Sequence, residues 1–309
     1  MQHTLSIGAD IGGTHITCAA VKIHEGKLLT ETLSRATYNH ESSAETILQS
    51  WAKALNNTLS KIDESQLAGI GFAIPGPFDY QNGISEMEHK FKNLFGLHIP
   101  SALKPLLDTQ KDLPMRFLND ASSFAVGESW LGEGQGFQKV VVITLGTGFG
   151  SAFIEDGVPV VYGEEVPKEG CLWHLPFKDS IADDYFSTRW FIGEYLKQTG
   201  FSILGVKDLM DKPSTDAVAR DLFLQFGQNL ADCLAAPLQK FGASVLIIGG
   251  NIAHALPLFG DKFSEGLAKA GVSLKVVVSR HSEHAALIGS ARLLDDAFWG
   301  KVSAQLPNI

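Results

Sequence analysis

Strand-like and helix-like patterns of apolar residues alternate along the first part of the chain. Three strand-like runs occur at 4–10, 16–23 and 27–34. Apolar residues then recur at every fourth position, the spacing of one helix face; they are Ile47, Trp51, Leu55 and Leu59. Ser42 and Glu45 have the spacing of a capping box, so we expect Ser42 to be the N-cap of a helix that ends near Leu59.

The same two patterns continue to the end of the chain and predict an α/β protein. Further strands are predicted at 67–74, 115–118, 139–145, 151–154, 245–248 and 275–278. Further helices are predicted at 121–131, 181–197, 216–240 and 283–298. With 309 residues, of which 45% are hydrophobic, the chain is long enough to form two domains, and no long linker marks their boundary.

A glycine-rich turn connects the first two predicted strands. Asp10 lies at the end of the first strand, and Gly12, Gly13 and Thr14 follow it. Adjacent glycines allow a backbone to approach a ligand closely, and the amides of such turns can bind phosphate oxygens. Asp10 is a hard oxygen ligand that suits Mg²⁺. The alternative is an ordinary hairpin turn in which Asp10 is a capping residue.

The pattern of strand, glycine turn and strand recurs roughly 135 positions later. The second turn is Gly146-Thr147-Gly148-Phe149-Gly150. One copy in each half indicates two related domains, although hairpins are common and coincidence is the alternative. A third glycine turn, Gly249-Gly250-Asn251, follows the strand predicted at 245–248.

Polar and proline-rich segments follow two other predicted strands. Asn119 and Asp120 lie at the carboxyl end of a strand, where open α/β sheets bind their ligands. Asp120 is either the N-cap of the next helix or a functional carboxylate. The segment Pro75-Gly76-Pro77 is either a plain turn or a rigid loop that faces a ligand. The loop from 83 to 96, which contains Asn93, is either a surface loop or a binding loop.

Charge and cysteine content disfavour several classes of protein. A formal net charge of −9 at pH 7 disfavours a nucleic-acid-binding protein, which needs a basic surface. The three cysteines lie far apart without a CxxC pair, so neither a zinc ribbon nor a disulfide framework is indicated. No apolar run reaches the length of a membrane span, and no secretion signal is evident. A cytoplasmic protein without nucleic-acid or membrane partners is expected.

Six short motifs occur in an order that resembles the ROK family of sugar kinases and repressors, within the actin, heat-shock-protein and hexokinase superfamily. They are Asp10-Ile11-Gly12-Gly13-Thr14, Pro75-Gly76-Pro77, Asn93-Leu94, Asn119-Asp120, Leu145-Gly146-Thr147-Gly148 and Gly249-Gly250-Asn251. The resemblance implies two actin-like (ribonuclease-H-like) α/β domains with mixed five-stranded sheets flanking a cleft. We predict a small domain of 1–119 plus the C-terminal helix 290–309, and a larger domain of 120–289.

The resemblance also implies a reaction, the ATP-dependent phosphorylation of a hexose with Mg²⁺. Asp120 would be the general base that takes a proton from the sugar hydroxyl as it attacks the γ-phosphate. The sugar-binding candidates are Gly76, Asn93, Asn119, His174, Asp183 and Glu169. The nucleotide-binding candidates are Gly12, Gly13, Thr14, Gly146, Thr147, Gly148, Gly249, Gly250 and Asn251. Asp10 is the candidate magnesium ligand.

One segment departs from the family pattern. Typical members have a Glu-x-Gly-His segment before a cysteine-rich zinc motif, whereas this chain reads Glu169-Gly170-Cys171-Leu172-Trp173-His174. Aligned on His174, one sugar-binding Glu of the family falls on Cys171, and the second falls on Asp183. His174 is either a sugar contact or a buried, hydrogen-bonded histidine, and Asp183 either contacts sugar or caps the helix at 181–197. A structural zinc needs four ligands, which this segment lacks, so none is expected.

Three functions remain open at this point. The first is a hexose kinase that acts on glucose or on a related aldose, ketose or acylamino sugar. The second is a non-catalytic sugar sensor, although family repressors carry a DNA-binding domain for which no room precedes Asp10. The third is a degenerate kinase that binds sugar but transfers phosphate poorly. Since the family is commonly dimeric, a homodimer is expected.

Overall fold

The computed structural model describes residues 4–281 and 283–306, which form an α/β protein. The strands are β1 (Leu5–Ile11), β2 (His15–Lys22), β3 (Lys27–Thr37), β4 (Leu67–Ile74), β5 (Phe78–Asp79), β6 (Ile84–Ser85), β7 (Met115–Asn119), β8 (Lys139–Leu145), β9 (Phe149–Glu155), β10 (Val158–Pro159), β11 (Pro176–Phe177), β12 (Ser180–Ile181), β13 (Val245–Gly249) and β14 (Lys275–Val278). The helices are α1 (Ala44–Leu59), α2 (Ile99–Leu103), α3 (Asp120–Leu131), α4 (Ala182–Tyr185), α5 (Thr188–Thr199), α6 (Lys207–Met210), α7 (Ala217–Phe241), α8 (Leu256–Lys269), α9 (His284–Arg292) and α10 (Asp296–Ser303). Short 3₁₀ helices lie at Glu64–Gln66, Lys92–Leu94, Lys104–Leu106, Lys168–Gly170 and Asn251–Ala255.

The described residues divide by their internal contacts into two compact units. The first unit contains the residues up to Gln135, the segment 157–159 and the residues from Glu283 onward. The second contains the segments 136–156 and 160–281. Helices α3, α9 and α10 therefore lie in the first unit. The domain boundaries expected from the sequence stay a prediction.

The sheet of the first unit has the strand order β3-β2-β1-β4-β7. Strand β2 is antiparallel to both of its neighbours, β1 and β3, whereas β4 and β7 run parallel to β1. Asp10 is opposite Ala73, and Ile74 is opposite Asn119. Because parallel strands end at the same edge of a sheet, Asp10, the loop after Ile74 and the start of α3 lie along one edge of this unit.

The second sheet repeats the strand pattern of the first. Its order is β10-β9-β8-β13-β14, with β8 antiparallel to β9 and parallel to β13. Gly249 is opposite Thr144, so the turns after β8 and β13 leave the same edge of the sheet. Two mixed five-stranded sheets in the described part of the chain confirm the predicted fold class. Within residues 4–281 and 283–306, each helix is too short or too polar to cross a lipid bilayer.

Several helix boundaries differ from the expected ones, two of them because of local capping. Ser43, not Ser42, caps α1, since its hydroxyl accepts a hydrogen bond from the amide of Thr46 at 3.2 Å. The single helix expected at 283–298 is two helices, because Asp295 accepts from the amides of Ala297 and Phe298 and begins α10. The helix expected at 181–197 is likewise divided into α4 and α5.

Helix α9 packs very closely on its neighbours in the first unit. Gly8 of β1 and Gly71 of β4 contact the backbone carbonyls of Leu287 and Ser290, and a Cβ at either glycine would overlap them. On another side of α9, Gly289 meets the carbonyl of Ser123 in α3. Gly127 of α3 meets the carbonyl of Ala285 in the same way. The four glycines therefore bring α9 into backbone contact with both the sheet and α3.

This packing predicts that Gly289→Ala destabilises the protein although alanine is the better helix former. In an exposed helix the change stabilises by about 0.5–1 kcal/mol, whereas overpacking of a close contact costs about 1–3 kcal/mol or more. Gly300→Ala in α10 is the matched control, because among residues 4–281 and 283–306 nothing outside its own helix backbone lies within 4 Å of the added Cβ. Urea unfolding should show a lower midpoint for Gly289→Ala and an equal or higher one for Gly300→Ala. Equal midpoints for Gly289→Ala and wild type would contradict the close packing of α9.

Candidate active site

The hydroxyl of Tyr38, a residue that the sequence did not indicate, stabilises the first glycine turn. The amide of Gly12 donates to the carbonyl of His15 at 2.9 Å and closes the turn. The hydroxyl of Tyr38 donates to the carbonyls of Gly12 and His15, at 2.5 and 3.1 Å. Burial raises the pKa of Tyr38, which keeps this hydroxyl protonated. Trp51 and Phe91 pack around the tyrosine ring and hold it in place.

The turn leaves space beside Gly13. Among the described residues, only the ring of His40 lies within 4 Å of a Cβ added to Gly13, at 3.9 Å. Thr14 is exposed, and its hydroxyl lies 3.1 Å from Nδ1 of His15. No neighbouring side chain or backbone in the described part of the chain therefore requires a glycine at position 13. A ligand that approaches the backbone would supply such a requirement.

Asp10, at the end of β1, has a strongly perturbed carboxyl group. It keeps some solvent exposure, but dense surrounding protein desolvates it. This burial, together with the charges of Asp120 and Glu283, raises the pKa of Asp10 to about 7, and Arg35 opposes the shift. Asp120 and Glu283 thus disfavour the ionised form of Asp10, whose pKa is raised to near neutrality. A cation at this position would relieve the repulsion among them.

Asp120 is the first residue of α3, and Asn119 is the N-cap. The side-chain oxygen of Asn119 accepts hydrogen bonds from the amides of Ala121 and Ser122, at 3.0 and 3.2 Å. The interpretation of Asp120 as the N-cap is therefore wrong, although its Oδ1 does accept from the amide of Ala121 at 2.8 Å. Burial raises the pKa of Asp120, while that amide and the charge of Lys90 oppose the shift.

The other sugar-binding candidates of the first unit lie in three different elements: Gly76 in the loop after β4, Asn93 in the 3₁₀ helix Lys92–Leu94 and Asn119 at the end of β7. Asn93 donates its side-chain amide to the carbonyls of Glu41 and Ser42, at 3.0 and 2.8 Å, so its Oδ1 is the atom that can meet a sugar hydroxyl. Asn119 points its amide nitrogen at the hydroxyl of Tyr80, 3.4 Å away. Gly76 is exposed beside the same hydroxyl, 3.1 Å from a Cβ placed on the glycine.

In the second unit, the turn between β8 and β9 is held by residues of the segment 183–189. The amide of Gly146 donates to the carbonyl of Gly148 at 3.1 Å within the turn. The amide of Phe149 donates to Oδ1 of Asp183 at 2.6 Å. Oδ2 of Asp183 lies 2.6 Å from a guanidinium nitrogen of Arg189. Both carboxylate oxygens of Asp183 are thus occupied by protein groups.

From the sequence, Asp183 was expected either to cap the helix at 181–197 or to contact sugar. Ile181 is the N-cap of α4 and Ser187 is the N-cap of α5, so Asp183 does not cap a helix. Its role as a sugar contact stays a prediction. Sugar would have to share a carboxylate that already binds Phe149 and Arg189.

The segment that departs from the family pattern is partly exposed. Glu169 has a left-handed backbone conformation and forms a 3.2 Å ion pair with Lys168. Its carbonyl accepts from the thiol of Cys171. His174 is half-buried with Trp173 packed edge-on against it, so it is not the fully buried histidine that was the alternative. Within the residues that the structure describes, no three His, Cys, Asp or Glu side chains are grouped to hold a metal ion.

The third glycine turn approaches the end of β8 very closely. Gly250 has a positive φ of 83°, and a Cβ there would overlap the backbone of Leu145. Gly249 is the last residue of β13, and Asn251 begins the 3₁₀ helix that leads into α8.

A cavity of about 520 Å³, lined mainly by apolar groups, lies beside the 3₁₀ helix Asn251–Ala255. The sequence did not indicate it; its lining includes Ala253, His254, Pro257, Gly260, Val276 and Val278.

A larger cavity of about 620 Å³ lies in the first unit but away from these groups. It is lined by Leu67, Ala68 and Arg116, which lie at the amino ends of β4 and β7. Because Asp10 and Asn119 lie at the carboxyl ends of strands in the same sheet, this cavity is at the opposite edge. Size alone therefore does not identify the candidate active site.

Comparison with known proteins gives a consistent result. The ROK family model matches residues 6–166. The chain is 26% identical to a glucokinase of Thermotoga maritima, over 95% of this chain and 98% of that protein. It is also 26% identical to an N-acetyl-D-glucosamine kinase of Haemophilus influenzae, over 85% and 88%. The structure of a ROK family glucokinase from Streptomyces griseus, in complex with glucose and AMPPNP, matches with a TM-score of 0.72 at 22% identity, over 94% of this chain and 99% of that one.

The raised pKa of Asp10 predicts a pH dependence of stability that Asp10→Asn removes. Between the ordinary pKa of 3.8 and about 7, the unfolded chain has lost this proton and the folded chain retains it. Stability should therefore fall as pH rises through this window, by at most about 1.4 kcal/mol per pH unit, and level off above it. Urea unfolding of the ligand-free protein at several pH values measures the slope, which should be flatter in Asp10→Asn.

Asp79→Asn is the matched control for this measurement. Although burial acts in the opposite direction, hydrogen bonds from Asn82 and Gln81 lower the pKa of Asp79. Its contribution to stability therefore changes only below the ordinary pKa of an aspartate. Between about pH 5 and 7 this variant should keep the wild-type slope. An Asp10→Asn variant with an unchanged slope would show that Asp10 does not titrate in that window.

Proposed function

Because the chain belongs to the ROK family, we propose that it transfers the γ-phosphoryl group of ATP to a hydroxyl group of a hexose. Both relatives compared above, which align with 85% or more of the chain, are sugar kinases by name, and this supports a sugar kinase. The observation that carries the proposed mechanism is the position of Asp120. It is a carboxyl with a raised pKa at the edge of the sheet where Asp10 and the first glycine turn also lie.

Asp120 is the proposed general base. A carboxylate in water is a weak base, and a raised pKa brings its proton affinity closer to that needed near neutral pH. The amide of Ala121 fixes one oxygen at 2.8 Å, which orients the carboxylate. As the sugar hydroxyl attacks the γ-phosphorus, its proton passes to Asp120 and the bond to the β-phosphate oxygen breaks. Lys90 lies on the same side and favours the ionised form of the base.

Asp10 fits the chemistry of a magnesium site. Its carboxylate is disfavoured in the ionised form by Asp120 and Glu283, and a bound cation would offset that repulsion. Mg²⁺ commonly binds one or two carboxylates and completes its shell with water and phosphate oxygens, where it neutralises developing charge. A single well-placed Asp is therefore sufficient on the protein side.

The glycine turns are the proposed nucleotide contacts. In the first unit they are Gly12, Gly13 and Thr14, with open space beside Gly13. In the second unit they are Gly146, Thr147 and Gly148 for phosphates, and Gly249, Gly250 and Asn251 for adenosine. The cavity of about 520 Å³ beside Asn251–Ala255 has an apolar lining that suits the adenine ring of the nucleotide.

The proposed substrate is glucose or a related hexose, including the acylamino sugars. The proposed sugar contacts are Gly76, Asn93 and Asn119 in the first unit and Glu169 and His174 in the second. A homodimer, a cytoplasmic location and the absence of a structural zinc stay predictions. The exposed side chains of Phe201 and Leu204, 72% and 93% accessible, give the second unit apolar surface that a partner could cover.

Asp120→Asn should abolish most of the turnover while sugar binding persists. The change preserves size and removes the proton acceptor, so we expect a fall in kcat of roughly 10²-fold or more. ADP release measured across glucose, fructose, mannose and their N-acetylated counterparts identifies the best sugar, and calorimetry with that sugar measures binding. Asp295→Asn is the matched control, since it changes another aspartate at a helix start of the same unit. Near wild-type turnover in Asp120→Asn would mean that Asp120 serves only the structure of the helix. If the wild-type protein binds sugar but does not turn it over, a non-catalytic sensor is favoured instead.

Gly13→Val tests the first glycine turn. Because a Cβ at Gly13 meets only His40 at 3.9 Å, the folded protein should tolerate the change with a modest loss of stability. A phosphate that contacts the backbone would be crowded, so ATP affinity should fall by roughly tenfold or more while sugar affinity is kept, since tenfold corresponds to about 1.4 kcal/mol. Calorimetric titration with ATP-Mg²⁺ and with sugar measures both, with Gly300→Val as a control on an exposed helix of the same unit. Unchanged ATP affinity in folded Gly13→Val would make this turn structural only.

A further inference from the structure

Two residues of the second unit bind successive carbonyls of the second glycine turn. The carbonyl of Gly146 accepts from both the amide and the hydroxyl of Thr188, at 2.8 and 2.9 Å. The carbonyl of Thr147, the next residue, accepts from Nη1 of Arg189 at 2.8 Å. Both carbonyls are therefore directed toward the start of α5.

The direction of these carbonyls determines the direction of two amides. The peptide bonds after Gly146 and Thr147 are trans, and in a planar trans peptide the C=O and the following N–H point in opposite directions. The amides of Thr147 and Gly148 therefore point away from Thr188 and Arg189. Two successive amides in a turn that point to the same side are able to bind one anion together.

Asp183 also binds the second glycine turn, but its carboxylate places a negative charge beside it. Its Oδ1 accepts from the amide of Phe149 at 2.6 Å and lies 3.2 Å from a Cβ placed on Gly148. An uncompensated carboxylate at this position would repel a polyphosphate. Arg189 compensates it, because Nη2 contacts Oδ2 of Asp183 at 2.6 Å while Nη1 binds Thr147. Asp184 also lies 4.0 Å from Nη2, so Arg189 is the cation that balances two carboxylates.

We infer that Arg189 and Asp183, with Thr188, are positioning residues that direct the amides of Thr147 and Gly148 toward the phosphates of ATP, and that Arg189 keeps Asp183 from repelling them. This inference rests on the proposed function, in which the second glycine turn receives the nucleotide. It assigns Asp183 to the nucleotide site in place of the expected sugar contact. A lysine could not replace Arg189, because the two contacts require the planar fork of a guanidinium.

The test is a double-mutant cycle read by calorimetric titration with ATP-Mg²⁺ and with sugar. Arg189→Gln removes the positive charge and should weaken ATP binding by roughly tenfold or more, since charge-assisted contacts are the stronger class of hydrogen bond. Asp183→Asn keeps an oxygen acceptor for Phe149 and should weaken ATP binding less. In Arg189→Gln/Asp183→Asn the loss should be smaller than in Arg189→Gln, because the repelling charge is gone. Sugar affinity should stay near wild type throughout.

Arg220→Gln is the matched control, because it removes an exposed arginine of the same unit whose ion pair with Asp221 is 3.9 Å long. Hydrogen exchange of the Phe149 amide, measured without ligand, should accelerate in Asp183→Ala but not in Arg220→Gln. Wild-type ATP affinity in folded Arg189→Gln would overturn the inference, as would a large loss of sugar affinity in Asp183→Asn with ATP binding intact. A wild type that binds ATP through Arg189 yet phosphorylates no hexose would overturn the proposed function and leave this inference standing.

Discussion

The backbone contact of α9 with the sheet and with α3 is the constraint on which the first unit depends. Gly8 and Gly71 allow the helix to lie directly on β1 and β4, and Gly289 and Gly127 allow α3 to lie directly on α9. Such contacts leave almost no freedom for the helix to slide, because any shift brings a carbonyl against a backbone atom. Asp10 ends β1 and Asp120 begins α3, so α9 fixes the two carboxyls relative to each other although it contributes neither of them.

The fixed positions have an electrostatic consequence. Asp10 and Asp120 both have pKa values raised by burial, and each is close enough to other charges for them to act on it. A rigid scaffold cannot relax to separate like charges, so the repulsion persists until a proton or a cation removes it. Groups of this kind reduce the stability of the ligand-free fold and are typical of functional sites. The first unit thus combines very tight packing in its interior with unfavourable charge interactions at one edge.

The distinct apolar periods of strands and helices predicted an α/β protein, and the resemblance to the ROK family implied its two mixed five-stranded sheets. The sequence was less informative where a partner lies far along the chain. Tyr38 holds Gly12 from 26 positions away and Arg189 holds Thr147 from 42, and neither lies in a recognisable motif. The sequence indicated Asp120 as a candidate N-cap, whereas Asn119 is the N-cap in the structure; both residue types accept from the first helical amides, and only geometry decides between them. Asp295 divided the final helix although the apolar pattern continued past it.

The close approach of Gly250 to Leu145 joins two loops that are more than a hundred residues apart in the chain. Leu145 is the last residue before the second glycine turn, and Gly250 lies in the third. Because their backbones are in contact, a displacement of one turn must be accommodated by the other. Under the proposed function, in which both turns bind the nucleotide, this contact couples the two binding events, and any such coupling is reciprocal. A substitution that loosens the contact would then change the affinity for a fragment bound at one turn even when the substitution lies in the other turn.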